Sequence, residues 1–168
     1  MSTAVTVIQK EPIRDEEKLD HYFYKEIMKV QFVYLLMLLL AATVQGNERY
    51  RHFINQHING RMSVGSCDAV IQRRGIIVTG SNECKETNTF ILANTNHVKA
   101  ICENAGTPYG GMKISNNPFS IIVCQLKNQG ARRPHCQYRG QARTRKIVIA
   151  CEEGLPVHFA EDIIPFDK

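Results

Sequence analysis

Two histidines stand in unusual company in this chain. His57 follows Gln56 in the stretch Glu48 to Ile58 (ERYRHFINQHI), and His158 lies in the apolar run Leu155-Pro-Val-His-Phe159. Imidazole is the side chain that takes up or gives a proton near neutral pH, so a pair of them can serve as base and acid in one reaction. Histidines so far apart in sequence matter only if the fold brings them together. Lys85 directly follows Cys84. A disulfide at Cys84 would limit the backbone freedom of that lysine and hold its ammonium in a site; the bland alternative is an ordinary solvated lysine. Metal chemistry is not expected. There is no C-x-x-C and no H-x-x-x-H, and His52 and His57 would point about 140° apart on a helix at ~100° per residue.

The elements that must position these groups sit in the second part of the chain. Of 168 residues, none of the first 66 is cysteine, and all six cysteines follow. Val30 to Val44 (VQFVYLLMLLLAATV) is the only long apolar run, preceded by Met28-Lys29 and followed by small or neutral residues, with Val44 and Gly46 where a signal peptidase would read. That is the architecture of a secretory signal, and the run is short of the roughly 20 residues that span a bilayer. The expected organisation is therefore an N-terminal extension over 1–27, a signal peptide over 28–46 and a folded domain over 47–168. The domain carries 16 lysines and arginines against 10 acids, so the chain's formal +5 becomes +6 once the leader is removed. A small, basic, exported domain with six cysteines is expected to hold three disulfides. Six cysteines allow 15 pairings, and spacing alone does not choose among them.

Within the domain, Tyr50, Phe53, Ile54, His57 and Ile58 recur at helical spacing, and Asn59-Gly60 ends the pattern. Cys67 to Arg74 reads as a second helix, with Ser66 as its cap and Gly75 as its terminator, and Asn94 to Cys102 as a third. Strands are expected over Thr89–Leu92, Phe119–Leu126, His135–Arg139, Lys146–Cys151 and Leu155–Phe159, separated by turn signals such as Gly110-Gly111, Asn116-Asn117-Pro118 and Glu153-Gly154. Helices first and strands last predict an α+β fold on an antiparallel sheet.

The sequence resembles the pancreatic-type ribonuclease (ribonuclease A-like) superfamily from about Arg51 to Ile163. The resemblance is carried by Gln56-His57, Cys84-Lys85-x-x-Asn88-Thr89-Phe90, Cys136-Gln-Tyr-Arg139 and Ala150-Cys-Glu-x-Gly-Leu-Pro-Val-His-Phe159. Gln72-Arg-Arg-Gly75, Lys99-Ala-Ile-Cys-Glu-Asn104 and the use of three disulfides are similar to its angiogenin-like branch. The resemblance implies three short helices on a bent antiparallel sheet and the pairs Cys67–Cys124, Cys84–Cys136 and Cys102–Cys151. It implies pyrimidine-preferring cleavage of RNA through a 2′,3′-cyclic phosphate, with no cofactor. His57 would be the base, His158 the acid and Lys85 the stabiliser of the transition-state charge. Gln56 and the main-chain amide of Phe159 would help bind phosphate, Asn88 belongs to the same motif, Thr89 would read the pyrimidine edge and Phe159 would wall that pocket.

The sequence departs from the family at Ala160, where an aspartate usually orients the catalytic histidine. Glu161 and Asp162 are the nearest substitutes, and a weakened enzyme is expected because the wrong histidine tautomer is then populated. By the same resemblance, Arg73-Arg74-Gly75 is a nuclear-entry candidate after uptake, and Asn104 to Lys113 corresponds to a cell-binding loop. The implied partners of this secreted, extracellular monomer are single-stranded or transfer RNA, a cell-surface receptor and the cytosolic ribonuclease inhibitor. A binding protein that needs no catalysis is the alternative: Arg132-Arg133 and the charges from Arg139 to Lys146 would suit bacterial surfaces or glycosaminoglycans in an antimicrobial or growth-factor role.

Overall fold

The computed structural model describes residues 15–165. Residues 1–14 of the expected extension and 166–168 at the end of the expected domain lie outside the described residues. The chain divides into two compact units, 1–43 and 44–168. In the first, the described residues are helical, and apolar side chains such as Phe32, Leu35 and Leu39 are exposed. Among the described residues no helix is long and apolar enough to cross a membrane.

Helix α1 is assigned over Asp15–His57. The helix expected from Glu48 to Ile58 is thus the last part of a longer element, not a short helix of its own, and it stops at His57. In the second unit follow a 3-10 turn (Val64–Ser66), α2 (Cys67–Arg74), β1 (Thr87–Ile91), α3 (Thr95–Cys102), β2 (Gly106–Tyr109), β3 (Met112–Ser115), β4 (Phe119–Leu126), β5 (Tyr138–Glu152) and β6 (Leu155–Ile163). The bounds of α2 match expectation. Gly75, at φ 66°, adopts the left-handed cap that lets Ile76 N–H bond back to the Ile71 carbonyl. Ser66, expected to cap α2, makes no side-chain cap bond; its hydroxyl pairs with that of Ser63 instead. Asn94 does cap α3, accepting from His97 N–H at 2.9 Å.

All sheet pairings are antiparallel, in the order β1-β4-β5-β3-β2 with β6 on β5. The strands expected at His135–Arg139 and Lys146–Cys151 are joined in the single 15-residue β5, which starts at Tyr138. Its first half pairs with β4 as far as Arg145, and from Lys146 onward it pairs with β6. The segment Asn104 to Lys113, expected as a loop, holds most of a hairpin. β2 and β3 turn at Gly110-Gly111, both at positive φ as a tight hairpin turn requires.

β1 and β4 are covered on both faces, so Asn88 to Ile91 of β1 and Ile121 to Cys124 of β4 are buried whichever way their side chains point. Ile91, Ile121 and Val123 pack with Phe53, Val98, Ile101, Ile147 and Ile149 in one core cluster. Their neighbours Phe90, Ile122 and Cys124 pack with Met62, Val70, Ile71, Ile76 and Tyr138 in another. The disulfides are Cys67–Cys124, Cys84–Cys136 and Cys102–Cys151, with Cα separations of 5.8, 5.6 and 5.7 Å, the pairing that the resemblance implied.

Candidate active site

The end of α1, the segment after Cys84 and strand β6 meet at one cleft of about 340 Å³. His57, Lys85 and His158 all line it, together with Gln56, His52, Phe53, Val157 and the wall Ile77-Val78-Thr79. Thr89, Asn88 and Phe159 are not lining residues. They act from behind, through hydrogen bonds and packing.

His57 is the last residue of α1 and is 7% exposed. Its Nδ1 lies 2.9 Å from the Thr89 carbonyl oxygen. A carbonyl only accepts, so Nδ1 carries the hydrogen and Nε2 keeps its lone pair in the neutral ring. Phe159 stacks on the imidazole at 5.1 Å between centroids, and Phe53 packs on it at 5.3 Å. This apolar enclosure strips water from the charged form, pushing the pKa from 6.5 down to about 4. The Thr89 bond opposes that shift, while Lys85, His158 and His52 add to it. Enclosure thus favours the neutral ring, with the lone pair on Nε2.

Lys85 is fixed at both ends. Its backbone follows the Cys84–Cys136 disulfide, and its carbonyl accepts a 2.8 Å bond from the buried Tyr138 hydroxyl. Its Nζ donates to Gln56 Oε1 at 3.3 Å and to Asn88 Oδ1 at 3.2 Å. Asn88 Nδ2 in turn donates to the Gln56 carbonyl at 2.8 Å. Burial lowers the Lys85 pKa. Tyr138, whose N–H donates to Asp68 Oδ1, is a positioning residue that sequence reasoning missed. Its only sequence signal was a place in Cys136-Gln-Tyr-Arg139.

His158 owes its placement to two irregularities in β6. The register passes from Cys151↔Pro156 to Ala150↔His158, and from Ile149↔Phe159 to Val148↔Glu161. Val157 and Ala160 are left without partners, and such bulges redirect the side chains beside them. Ala160 is exposed. Asp162, one of the two nearest substitute carboxylates, pairs with Arg145 at 3.5 Å. Among the described residues, no carboxylate is hydrogen-bonded to the His158 ring.

The Arg73-Arg74-Gly75 segment is largely absorbed by the fold. Arg74 Nη1 donates to the carbonyls of Asn55 at 2.7 Å and Ile58 at 2.9 Å, and its guanidinium lies 5.7 Å from the centre of the Phe90 ring. Gly75 is the α2 cap, and Arg73 is the exposed member. Among the described residues, no group of three or more His, Cys, Asp or Glu is arranged to hold a metal ion.

The family model of pancreatic ribonuclease matches residues 48–160. The chain is 42% identical to Ribonuclease-like 3 of Danio rerio, over 79% of its own length and 94% of the relative's. It is 41% identical to angiogenin of Papio hamadryas, covering 79% and 90%. Among solved structures, a zebrafish ribonuclease superposes with a TM-score of 0.68 at 44% identity, covering 70% of this chain and 96% of that one. Green turtle egg white ribonuclease gives 0.61 at 36% identity, covering 68% and 98%.

Proposed function

The chain belongs to the pancreatic ribonuclease family and is an RNA endonuclease of that type, and from this premise we propose that it cleaves after pyrimidines by paired histidine catalysis. The observation that carries the reading is the Nδ1–Thr89 bond of His57, which leaves Nε2 as an acceptor in the cleft shared with Lys85 and His158. His57 takes the proton of the 2′-hydroxyl, whose oxygen attacks the adjacent phosphorus. The bond from phosphorus to the 5′-oxygen breaks, His158 protonates that oxygen, and a 2′,3′-cyclic phosphate remains. Lys85 offsets the negative charge that builds on the phosphoryl oxygens. Thr89 and Phe159 belong to the pyrimidine site in this reading, and Gln56 and Asn88 to the support of phosphate and lysine. DNA lacks the attacking hydroxyl and does not react.

Cleavage of pyrimidine–purine dinucleotides by the purified chain tests this. His57→Ala and His158→Ala are each expected to lower kcat about 10²- to 10⁴-fold. Cleavage that is unchanged by both substitutions, or that does not prefer pyrimidines, would count against the reading.

We further propose that residues 28–46 direct export and that the domain 47–168 acts outside the cell as a monomer. The exposed apolar side chains of the leader and three disulfides support this, since disulfides persist in oxidising compartments. An angiogenic or host-defence role, with a receptor, the ribonuclease inhibitor or transfer RNA as partners, rests on likeness to angiogenin. Nuclear entry through Arg73-Arg74-Gly75 has less support, because Arg74 and Gly75 serve the fold. The purely cationic alternative also loses ground. Arg132 pairs with Glu83, Arg133 donates to the Gln72 carbonyl, Arg143 to Gln141, and Arg145 pairs with Asp162.

A further inference from the structure

The hydrogen bonds that hold Lys85 lead to a third histidine. His52 lies one helical turn before Gln56 and lines the same cleft. Its Nε2 is 3.3 Å from Gln56 Nε2, while the oxygen of the same amide accepts from Lys85 Nζ at 3.3 Å. An amide nitrogen donates and does not accept, so this contact is a hydrogen bond only while His52 Nε2 carries a lone pair. Once that nitrogen is protonated, N–H faces N–H. The amide then satisfies His52 by turning over, so that Oε1 accepts from the imidazolium. The amide nitrogen is left facing the Lys85 ammonium, and neither can accept from the other. Lys85 keeps its bond to Asn88 and loses the one to Gln56.

We propose that His52 is a proton-operated positioning residue: neutral, it turns the Gln56 amide so that its oxygen tethers Lys85; protonated, it captures that oxygen and leaves the ammonium held by Asn88 alone. The proposal rests on the ribonuclease reading of the site and adds a trigger to it. A phosphate entering the cleft favours the charged form of a nearby imidazole, so arrival of the substrate frees the lysine that must meet it. The titratable groups that line the cleft with His52 are His57 on α1, Lys85 after the Cys84 disulfide, and His158 on β6. Glu48 is ion-paired with Arg51 at 3.4 Å, and the wall Ile77-Val78-Thr79 brings no titratable group.

Nitrogen-15 NMR of the full chain, with inorganic phosphate as the probe and no RNA present, tests the coupling between pH 8 and 5. The Gln56 side-chain NH₂ signals are expected to move with the same midpoint as the His52 ring. Phosphate is expected to raise both midpoints together by about one pH unit. His52→Gln keeps a donor and an acceptor without a titrating charge and is expected to abolish the Gln56 transition. His52→Arg, charged throughout, is expected to hold Gln56 at its low-pH position even at pH 8. Gln56 signals that stay fixed while the His52 ring titrates, or that move unchanged in His52→Gln, overturn the proposal. That failure is distinct from failure of the ribonuclease reading, which would show as loss of pyrimidine-directed cleavage or its indifference to His57→Ala and His158→Ala.

Discussion

The chemistry of His57 depends less on its being a histidine than on where its ring is enclosed. Stacked on Phe159 and bonded to the Thr89 carbonyl, it has a pKa of about 4. The acid limb of the kcat/KM profile is therefore expected near pH 4 and not near 6.5, because protonation of the free enzyme's base abolishes its acceptor role. Stability carries the same signature. Between 6.5 and about 4 the unfolded chain binds a proton that the folded chain does not, so the stabilisation is complete above 6.5 and is lost as pH falls through that window. The loss amounts to roughly 3 kcal/mol. Denaturant titrations at pH 7 and pH 4 measure it, and His57→Phe should flatten the dependence. At His158 the missing carboxylate is restorable. Ala160→Asp, at an exposed bulge position, is expected to raise kcat about tenfold, equivalent to ~1.4 kcal/mol, with little change in Tm. An unchanged kcat would mean that ring orientation is not what limits the enzyme.

At the scale of elements, the C-terminus of α1 is held by a residue from another helix. Arg74 donates to three carbonyls there, those of Ile54, Asn55 and Ile58, and covers Phe90, while Asn55 Nδ2 donates back to the Arg74 carbonyl at 3.1 Å. Arg74→Ala is expected to cost about 1–3 kcal/mol and to lower activity by loosening the turn that ends in His57. Arg73→Ala, at an exposed site, should change stability by no more than ~0.5 kcal/mol. Thermal unfolding of the two variants separates them. Elements whose signals are local were legible in the sequence: α2 stops at Gly75, and β4 is an apolar run between turn residues. The hairpin β2–β3 was missed because its strands are four residues each, and β2 is largely exposed without apolar alternation. Gly110-Gly111 signals the turn, but its flanks carry no strand pattern. β5 was split in two because its middle, Gly140 to Arg145, is polar. It stays extended there through pairing with β4, which no local pattern reports.

For the whole domain, three crosslinks at sequence separations of 57, 52 and 49 residues tie α2 to β4, α3 to β5 and the Lys85 segment to the loop before β5. In the chain-entropy model each contributes roughly 4 kcal/mol as an upper figure. Reduction is expected to unfold the domain and abolish cleavage, with loss of near-ultraviolet circular dichroism as the readout. Retained activity in reductant would show that the two core clusters suffice alone.

The α+β class, the content of cysteine and the family were all legible in the amino-acid sequence, since they depend on which residues occur and in what local order. That the His57 ring is enclosed and bonded to the Thr89 carbonyl, that Lys85 is anchored through Tyr138 and that Arg74 is spent on a helix end were decided only by the tertiary structure. Tyr138 and Lys85 are 53 residues apart, and Tyr138 and Asp68 are 70 apart. One contact ends on the Lys85 backbone carbonyl and the other starts from the Tyr138 backbone N–H, groups that every residue carries and no sequence pattern marks. Sequence supplies six cysteines and a pair of distant histidines; folding places both histidines in one cleft and buries only His57, because the closing of the sheet on α1 joins residues 101 positions apart.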